Sequence, residues 1–173
     1  MRVRACRLGW TSLLCIAISL GCSSKPSDRP VTDEEGAVRE KFAELQSALK
    51  SRDAEKLWAL LDARSRADAE RAAKDIRTAY NQAGAEEKAR QEEALGLSGA
   101  ELADLDGKGF LKTKRFQNKY HEVPDGRIDK LVVQGESATI YFIEPDGDKE
   151  KAILVRQDGQ WKVWLTMPKA SKP

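Results

Sequence analysis

Histidine and cysteine, two residue types common in catalytic and metal-binding sites, are scarce in this sequence. His121 is the only histidine, so neither a histidine metal cluster nor a catalytic arrangement with a second histidine can form. Two of the three cysteines, Cys6 and Cys15, lie in an N-terminal segment that we expect to be removed. The remaining cysteine, Cys22, cannot build a thiolate zinc site or an intrasubunit disulfide. The sequence therefore predicts no catalytic residue, no metal site and no cofactor.

A short acidic and glycine-containing segment, residues 104–109, superficially resembles a calcium-binding loop. An EF-hand needs oxygen ligands at its fifth and twelfth positions, which here are Lys108 and Arg115. The two glycines of this segment also lack the third glycine of a dinucleotide-binding turn. We interpret the segment as a hinge between helices.

The stretch between Gly107 and Glu122 holds five lysine or arginine residues and no acidic residue. If residues 108–120 form one helix, the spacing places four cations on one face. These residues, the cationic stripe, are Lys108, Lys112, Arg115 and Lys119. The aromatic and small residues on the other face are Phe110, Thr113, Phe116 and Tyr120. Either the aromatics pack on a sheet and the cations are merely solvated, or the stripe contacts an anionic surface or an acidic partner.

The N-terminus has the organisation of a secretory signal peptide. Arg2, Arg4 and Arg7 precede an uncharged, mostly apolar run over residues 8–20. That run is shorter than the roughly 20 apolar residues that a membrane-spanning helix needs. We therefore expect residues 1–21 to be a cleaved export signal.

The residues at the end of this run, Ser19-Leu20-Gly21-Cys22, resemble the lipobox of bacterial lipoproteins. The family pattern prefers leucine three places before the cysteine, where this chain has Ser19. The resemblance implies that Cys22 receives a lipid and becomes the new N-terminus. Two or more acyl chains anchor a protein stably, whereas one does so only marginally. The alternatives are a soluble secreted protein with a spare thiol and an uncleaved anchor.

Residues 22–32 follow as a lipidated cysteine and a flexible tether rich in serine and proline. Ser23, rather than aspartate, follows the cysteine, which by resemblance to proteobacterial lipoproteins favours the outer membrane. The whole chain has 30 basic and 28 acidic residues, and three of the basic ones lie in the export signal. The mature chain is thus nearly neutral and shows no overall basic bias of the kind expected in a nucleic-acid binder.

Residues 33–173 read as one α+β domain in which helices precede strands. The capping-box pattern of Thr32 and Glu35 begins a helix expected over about 33–50, and apolar spacing predicts further helices near 57–61 and 64–83. Residues 86–93 read as a solvated helix or linker, and Ser98 with Glu101 begins a short helix through Leu105. Four segments rich in β-branched and aromatic residues predict an antiparallel meander: 128–133, 138–143, 152–156 and 161–167.

The order of these elements resembles the NTF2-like family, which includes SnoaL-type and ketosteroid-isomerase-like domains. The resemblance rests on the spacing of Val38, Phe42 and Leu45, followed by that of Asp53 and Leu57. It implies helices packed across a strongly bent sheet to form a cone. Enzymes of the isomerase type use a carboxylate base and an acid in a dry pocket. Counterparts by composition are Asp129, Tyr80 and Tyr141, but no family motif aligns with them.

Three functions remain open from the sequence. The leading one is a membrane-anchored lipoprotein of the bacterial envelope, with a non-enzymatic domain that binds a ligand or a partner protein. The second is an NTF2-like isomerase, dehydratase or hydrolase acting on a small molecule. The third is an accessory subunit of an envelope complex, with a homodimer through the outer sheet face as one version.

Overall fold

The computed structural model describes residues 32–168, and the predicted export signal, Cys22 and the tether lie outside them. Residues 31–173 form one compact unit. Seven helices come first: α1 Asp33–Ser51, α2 Ala54–Leu60, α3 Ala63–Gln82, α4 Ala85–Leu95, α5 Gly99–Ala103, α6 Gly107–Phe110 and α7 Lys114–Lys119. A 3₁₀ turn, Val123–Asp125, then leads into four strands: β1 Arg127–Gln134, β2 Ser137–Ile143, β3 Lys149–Gln157 and β4 Gln160–Trp164. The α+β prediction, with helices before a four-stranded antiparallel meander, is confirmed.

Local capping fixes where several helices begin. The Thr32 hydroxyl accepts a hydrogen bond from the Glu35 N–H while the Glu35 carboxylate accepts one from the Thr32 N–H, and Ser98 and Glu101 form the same box at α5. Asp53 and Asp62 cap α2 and α3 through their carboxylates. Each cap satisfies an N–H that has no partner inside its own helix. The two predicted capping boxes are therefore confirmed.

The strands pair in the order β1-β2-β3-β4, all antiparallel. The turn between β3 and β4 places Asp158 and Gly159 at φ values of 52° and 74°, as a tight hairpin turn requires. A bulge at Asp129 interrupts β1, so that Ile128 pairs with Phe142 and Lys130 with Tyr141. At the opposite edge, Leu61 forms a single parallel bridge to Val163 of β4. The sheet is open, and the NTF2-like cone stays a prediction.

The helices cover one face of the sheet, which we call the inner face. Phe42 of α1 meets Phe142 of β2 with ring centroids 5.4 Å apart, and Ile140 and Leu154 are fully buried beside them. The predicted alternation holds from Trp161 to Met167, since Trp161, Val163, Leu165 and Met167 are buried, but β4 itself ends at Trp164, before the predicted end at residue 167. Ser65 of α3 adds polar contacts, because its hydroxyl accepts from the Leu165 N–H at 2.8 Å and donates to the Leu165 carbonyl at 3.1 Å.

The expected continuous helix over residues 108–120 is wrong. Helix α6 ends at Phe110, and α7 begins only at Lys114. The Thr113 hydroxyl lies between them, donating to the Phe110 carbonyl at 2.7 Å and accepting from the Phe116 N–H at 3.3 Å. A threonine hydroxyl that bonds local backbone competes with helix continuation, and two glycines weaken α6 further. The predicted aromatic side is nevertheless internal, since Phe110, Thr113 and Phe116 are fully buried.

Candidate functional site on the outer face of the sheet

The face of the sheet opposite the helices, the outer face, carries rows of side chains that the strand register aligns. Lys130, Tyr141 and Lys151 are paired across β1, β2 and β3, and so share this face. Arg127, Ile143 and Lys149 form the next row toward the end of the sheet. Tyr141 is 42% exposed, and among the described residues it is the one large hydrophobic side chain that is exposed to solvent. Cations therefore flank an exposed aromatic ring.

The next row is mainly apolar and crosses all four strands. Val132, Thr139, Ile153 and Trp164 are register partners, and each is only partly buried. The guanidinium of Arg64, from the first turn of α3, lies 5.2 Å from the centroid of the Trp164 ring. The row beyond it includes Val155 and its partner Lys162. The outer face thus combines partly exposed apolar side chains with cations.

A cleft of about 410 Å³ opens on this part of the sheet. Its lining residues are Asp129, Lys130, Tyr141, Phe142, Lys149, Glu150 and Lys151. The Lys130 ammonium lies 6.0 Å from the Tyr141 ring centroid, which is within the range of a cation–π contact. The bulge brings Asp129 to this cleft together with Tyr141, so two of the three residues suggested for acid–base chemistry meet here.

The third suggested residue, Tyr80, lies in the helical part instead. Its hydroxyl donates to the Glu92 carboxylate at 2.6 Å, and the Lys88 ammonium lies 5.2 Å from its ring centroid. The hydrogen bond that the hydroxyl donates to Glu92 and, after it, burial raise the pKa of Tyr80 above its ordinary value. These contacts join α3 to α4 and place Tyr80 apart from the cleft of Asp129 and Tyr141.

The members of the cationic stripe have partners on different elements. Lys108 pairs with Glu55 of α2 at 2.7 Å, and Lys119 donates to the Thr166 carbonyl at 2.7 Å. Burial lowers the pKa of Lys119. Lys112 is exposed and lines a cleft with Glu101, whereas Arg115 of α7 is partly buried. Contact of these four residues with an anionic surface stays a prediction.

The segment that resembles a calcium loop makes local contacts. The Asp106 carboxylate accepts from the Gly109 N–H at 2.6 Å and caps α6, while the Gly107 N–H donates to Glu70 of α3 at 3.1 Å. A Cβ on Gly107 would lie 2.8 Å from Glu70 and Trp58, so the absence of a side chain allows this close approach. The segment connects α5 to α6, as the hinge interpretation expects.

Three carboxylates beside the β2–β3 turn form the group of acidic side chains in the described chain that could hold a metal ion. Oxygens of Glu122, Glu144 and Asp146 lie within 4.8 Å of one another. His121, the single histidine, contacts Glu122 at 2.9 Å. Burial and, after it, the negative charges of Glu122 and Glu150 raise the pKa of Glu144. Exposed acidic groups often cluster without an ion, and the prediction of no metal stays a prediction.

A smaller cleft of about 200 Å³ lies where the helices meet the same end of the sheet. Glu144, Tyr120 and Phe142 are among its lining residues. Burial raises the pKa of Tyr120, whose hydroxyl donates to the Thr166 carbonyl at 2.7 Å. A carboxyl group and a phenol whose pKa values are both raised therefore lie beside one partly apolar space.

Sequence reasoning named the outer sheet face only as a possible dimer surface and assigned no residues to it. The alternation of Lys149, Lys151 and Ile153 along β3 was a readable signal that these side chains share one face.

Among residues 32–168, no helix has the length and apolar character that a membrane span requires. Comparison of the chain with protein-family models, curated proteins and solved structures gave no match.

Proposed function

We propose that this protein is a lipid-anchored lipoprotein of the bacterial envelope whose domain acts as a non-enzymatic binding module. The binding surface is the outer face of the sheet. One observation carries the proposal: this face is left uncovered by the helices although it holds Tyr141, Trp164 and several cations. The lipobox-like end at Cys22 supports the anchor from the sequence side.

The packing of the inner face favours recognition at the surface. Phe42, Phe142 and Ile140 occupy the space between α1 and the sheet, and all three are buried. The larger clefts of the described chain are open to solvent and do not enclose a ligand. Binding sites for small molecules usually bury most of the ligand in a concave, mainly apolar pocket. A broad exposed face suits a larger partner better.

The proposal is tested on the protein in its own membranes by lysine footprinting with mass spectrometry. An amine-reactive reagent is applied to intact membranes and to the detergent-extracted protein. We expect protection of Lys130, Lys149 and Lys151 in the membrane sample, with Lys56 and Lys74 labelled equally in both as controls. Equal labelling of every lysine in both samples would contradict a binding role for the outer face.

The anchor is tested in the same preparation from the mass of the denatured protein. The expected mass is that of residues 22–173 plus the acyl groups on Cys22. A mass without acyl groups would overturn the lipid anchor and leave a secreted protein. Because this measurement does not depend on the footprint, the two parts of the proposal can fail separately.

A second candidate function is chemistry on a small molecule at the cleft of Tyr120 and Glu144. It is favoured by a carboxyl and a phenol whose pKa values are both raised beside one space. Turnover of a small ketone or ester by the purified protein, lost in both Glu144→Gln and Tyr120→Phe, would support it. Turnover that persists in both variants would exclude this cleft.

A further inference from the structure

We propose that the outer face docks on the anionic surface of a lipid bilayer, so that the domain lies flat on the membrane. This inference rests on the proposed function, because it names the partner of the same surface. The occupant is an array of phosphate headgroups rather than a single small anion. The charges, the aromatic residues and the position of α1 each support it.

The charges of the outer face are strongly unbalanced. Register and strand alternation place five cations on it: Arg127, Lys130, Lys149, Lys151 and Lys162. Two carboxylates lie beside them: Asp129 at the bulge, and Glu150, which lines the same cleft. Within residues 32–168 none of these five cations makes a salt bridge, and Lys162 donates only to the Ala59 carbonyl, at 3.0 Å.

Like charges on neighbouring strands repel one another and weaken a sheet. Lys130 and Lys151 nevertheless lie on either side of Tyr141 in one row, and Lys149 is in the next row. Two carboxylates of the domain, Asp129 and Glu150, line the same cleft as these lysines, and Lys151 also lines the smaller cleft with Glu144. None of these carboxylates forms a salt bridge with a cation of the outer face within residues 32–168. Five cations against two carboxylates leave this surface with a positive excess, which an anionic partner would complement.

The residues between the cations fit a headgroup layer. Tryptophan and tyrosine are enriched at membrane–water interfaces, where an amphipathic ring meets both apolar and polar groups. Trp164 and Tyr141 lie on the outer face, and Val132 and Ile153 add partly exposed apolar side chains in the row that contains Trp164. Neighbouring strands are about 4.8 Å apart, so four strands present a surface roughly 15 Å wide. That breadth matches several lipid headgroups and exceeds one small ligand.

The start of α1 allows this orientation. Glu34 pairs with Arg156 near the end of β3 at 2.9 Å, which places the beginning of the helix at one end of the sheet. About ten residues separate Cys22 from Thr32, and an extended chain of that length reaches about 30 Å. Packed layers of a domain are only about 10 Å apart, so the distance from α1 to the outer face is shorter than the reach of these residues. The lipid on Cys22 and the outer face can therefore contact the same bilayer.

Vesicle binding of residues 31–173, the compact unit that contains the whole described core, tests the inference without the anchor. The probes are phosphatidylglycerol-containing vesicles, pure phosphatidylcholine vesicles and inorganic polyphosphate. We expect binding to the anionic vesicles that weakens as salt rises, because salt screens exposed charges. No preference for anionic over neutral vesicles would overturn the inference, and so would tighter binding to polyphosphate than to anionic vesicles.

Two matched triple variants locate the contact. Each basic residue near an anionic bilayer contributes roughly a fivefold increase in partitioning, so K130Q/K149Q/K151Q should lose about a hundredfold. The control K108Q/K112Q/K119Q removes the same charge from the cationic stripe, and we expect it to lose less than about fivefold. An equal loss in both variants, or a larger loss in the control, would overturn docking through the sheet.

Thermal unfolding of each variant shows whether it is folded, and a variant that is not is replaced by its single substitutions. The vesicle assay, read together with the lysine footprint, also distinguishes failure of the bilayer as partner from failure of the proposed binding face. Lysine protection in native membranes without vesicle binding would overturn the bilayer as partner and keep the binding face. Absence of both would overturn both.

Discussion

The two faces of the sheet are made from the same strands but have different chemistry. On β2, Phe142 points to the inner face and is 3% exposed, while its neighbour Tyr141 points to the outer face and is 42% exposed. The inner face meets α1 through aromatic contacts, whereas the outer face holds cations without carboxylate partners within the described chain. One face therefore stabilises the fold, and the other exposes cations and an aromatic ring to solvent.

The largest expected effect comes from comparing alanine substitutions at Phe142 and Tyr141, which are neighbours on β2. Phe142→Ala removes a buried ring that meets Phe42 at 5.4 Å, so we expect a loss of about 3–5 kcal/mol in the free energy of unfolding. Tyr141→Ala should cost less than about 1 kcal/mol, because its ring is exposed. Chemical denaturation of both variants gives the difference. Similar losses would mean that the outer face is packed as well.

A second test concerns the two hydrogen bonds between the Ser65 hydroxyl of α3 and the backbone of Leu165. Ser65→Ala leaves both the N–H and the carbonyl of Leu165 without the Ser65 hydroxyl, and we expect a cost of about 1–3 kcal/mol. Ser51→Ala is the control, since that hydroxyl bonds the Ser47 carbonyl at an exposed helix end and its loss should cost less than about 0.5 kcal/mol. If denaturation shows no difference between the variants, Ser65 does not hold α3 to the sheet.

A third test uses pH at the acidic end of the sheet. The pKa of Glu144 is raised in the folded state by burial and by Glu122 and Glu150, so the folded protein binds this proton more tightly than the unfolded chain does. Its stabilising effect is present below the ordinary value of 4.5 and is lost as pH rises through the raised pKa. Glu144→Gln should therefore raise the unfolding midpoint at neutral pH and not well below 4.5. A gain that is the same at both pH values would contradict the assigned cause.

The smallest expected effect is on the stability of the outer face. K130Q/K149Q/K151Q removes cations that have no salt bridge in the described chain, so unfolding should change by less than about 0.5 kcal/mol. The same variant should lose most of its binding to anionic vesicles. A large loss of stability would mean that these lysines hold the fold together, and the separation of roles between the faces would fail.

The parts of the fold that depend on neighbours in the sequence could be predicted. The capping boxes at Thr32 and Ser98 are local, and the alternation from Trp161 to Met167 is a pattern of period two. The break at Thr113 was missed because helical spacing of charges and aromatics is also satisfied by two short helices. Two short helices form because the Thr113 hydroxyl bonds the Phe110 carbonyl and the Phe116 N–H, which interrupts a continuous helix.

The candidate site was harder to predict, because it depends on register. Arg127 and Lys130 are three residues apart, a spacing that puts side chains on opposite faces of a regular strand. The bulge at Asp129 places them on the same face. Strand alternation also does not say which face the helices cover, so the lysines of β3 and the tyrosine of β2 could not be assigned to an open surface. The packing of α1 on the sheet decides which face is covered.

The bulge in β1 has a consequence for aggregation. Open sheets tend to associate by adding strands at their free edges, and bulges and charged side chains oppose such pairing. Within residues 32–168, the β4 edge is partly covered by the bridge from Leu61, whereas β1 is an uncovered edge. That edge contains the bulge at Asp129 with Arg127 and Lys130 on either side of it. The β1 edge is therefore protected against pairing with the sheet of another copy of the domain.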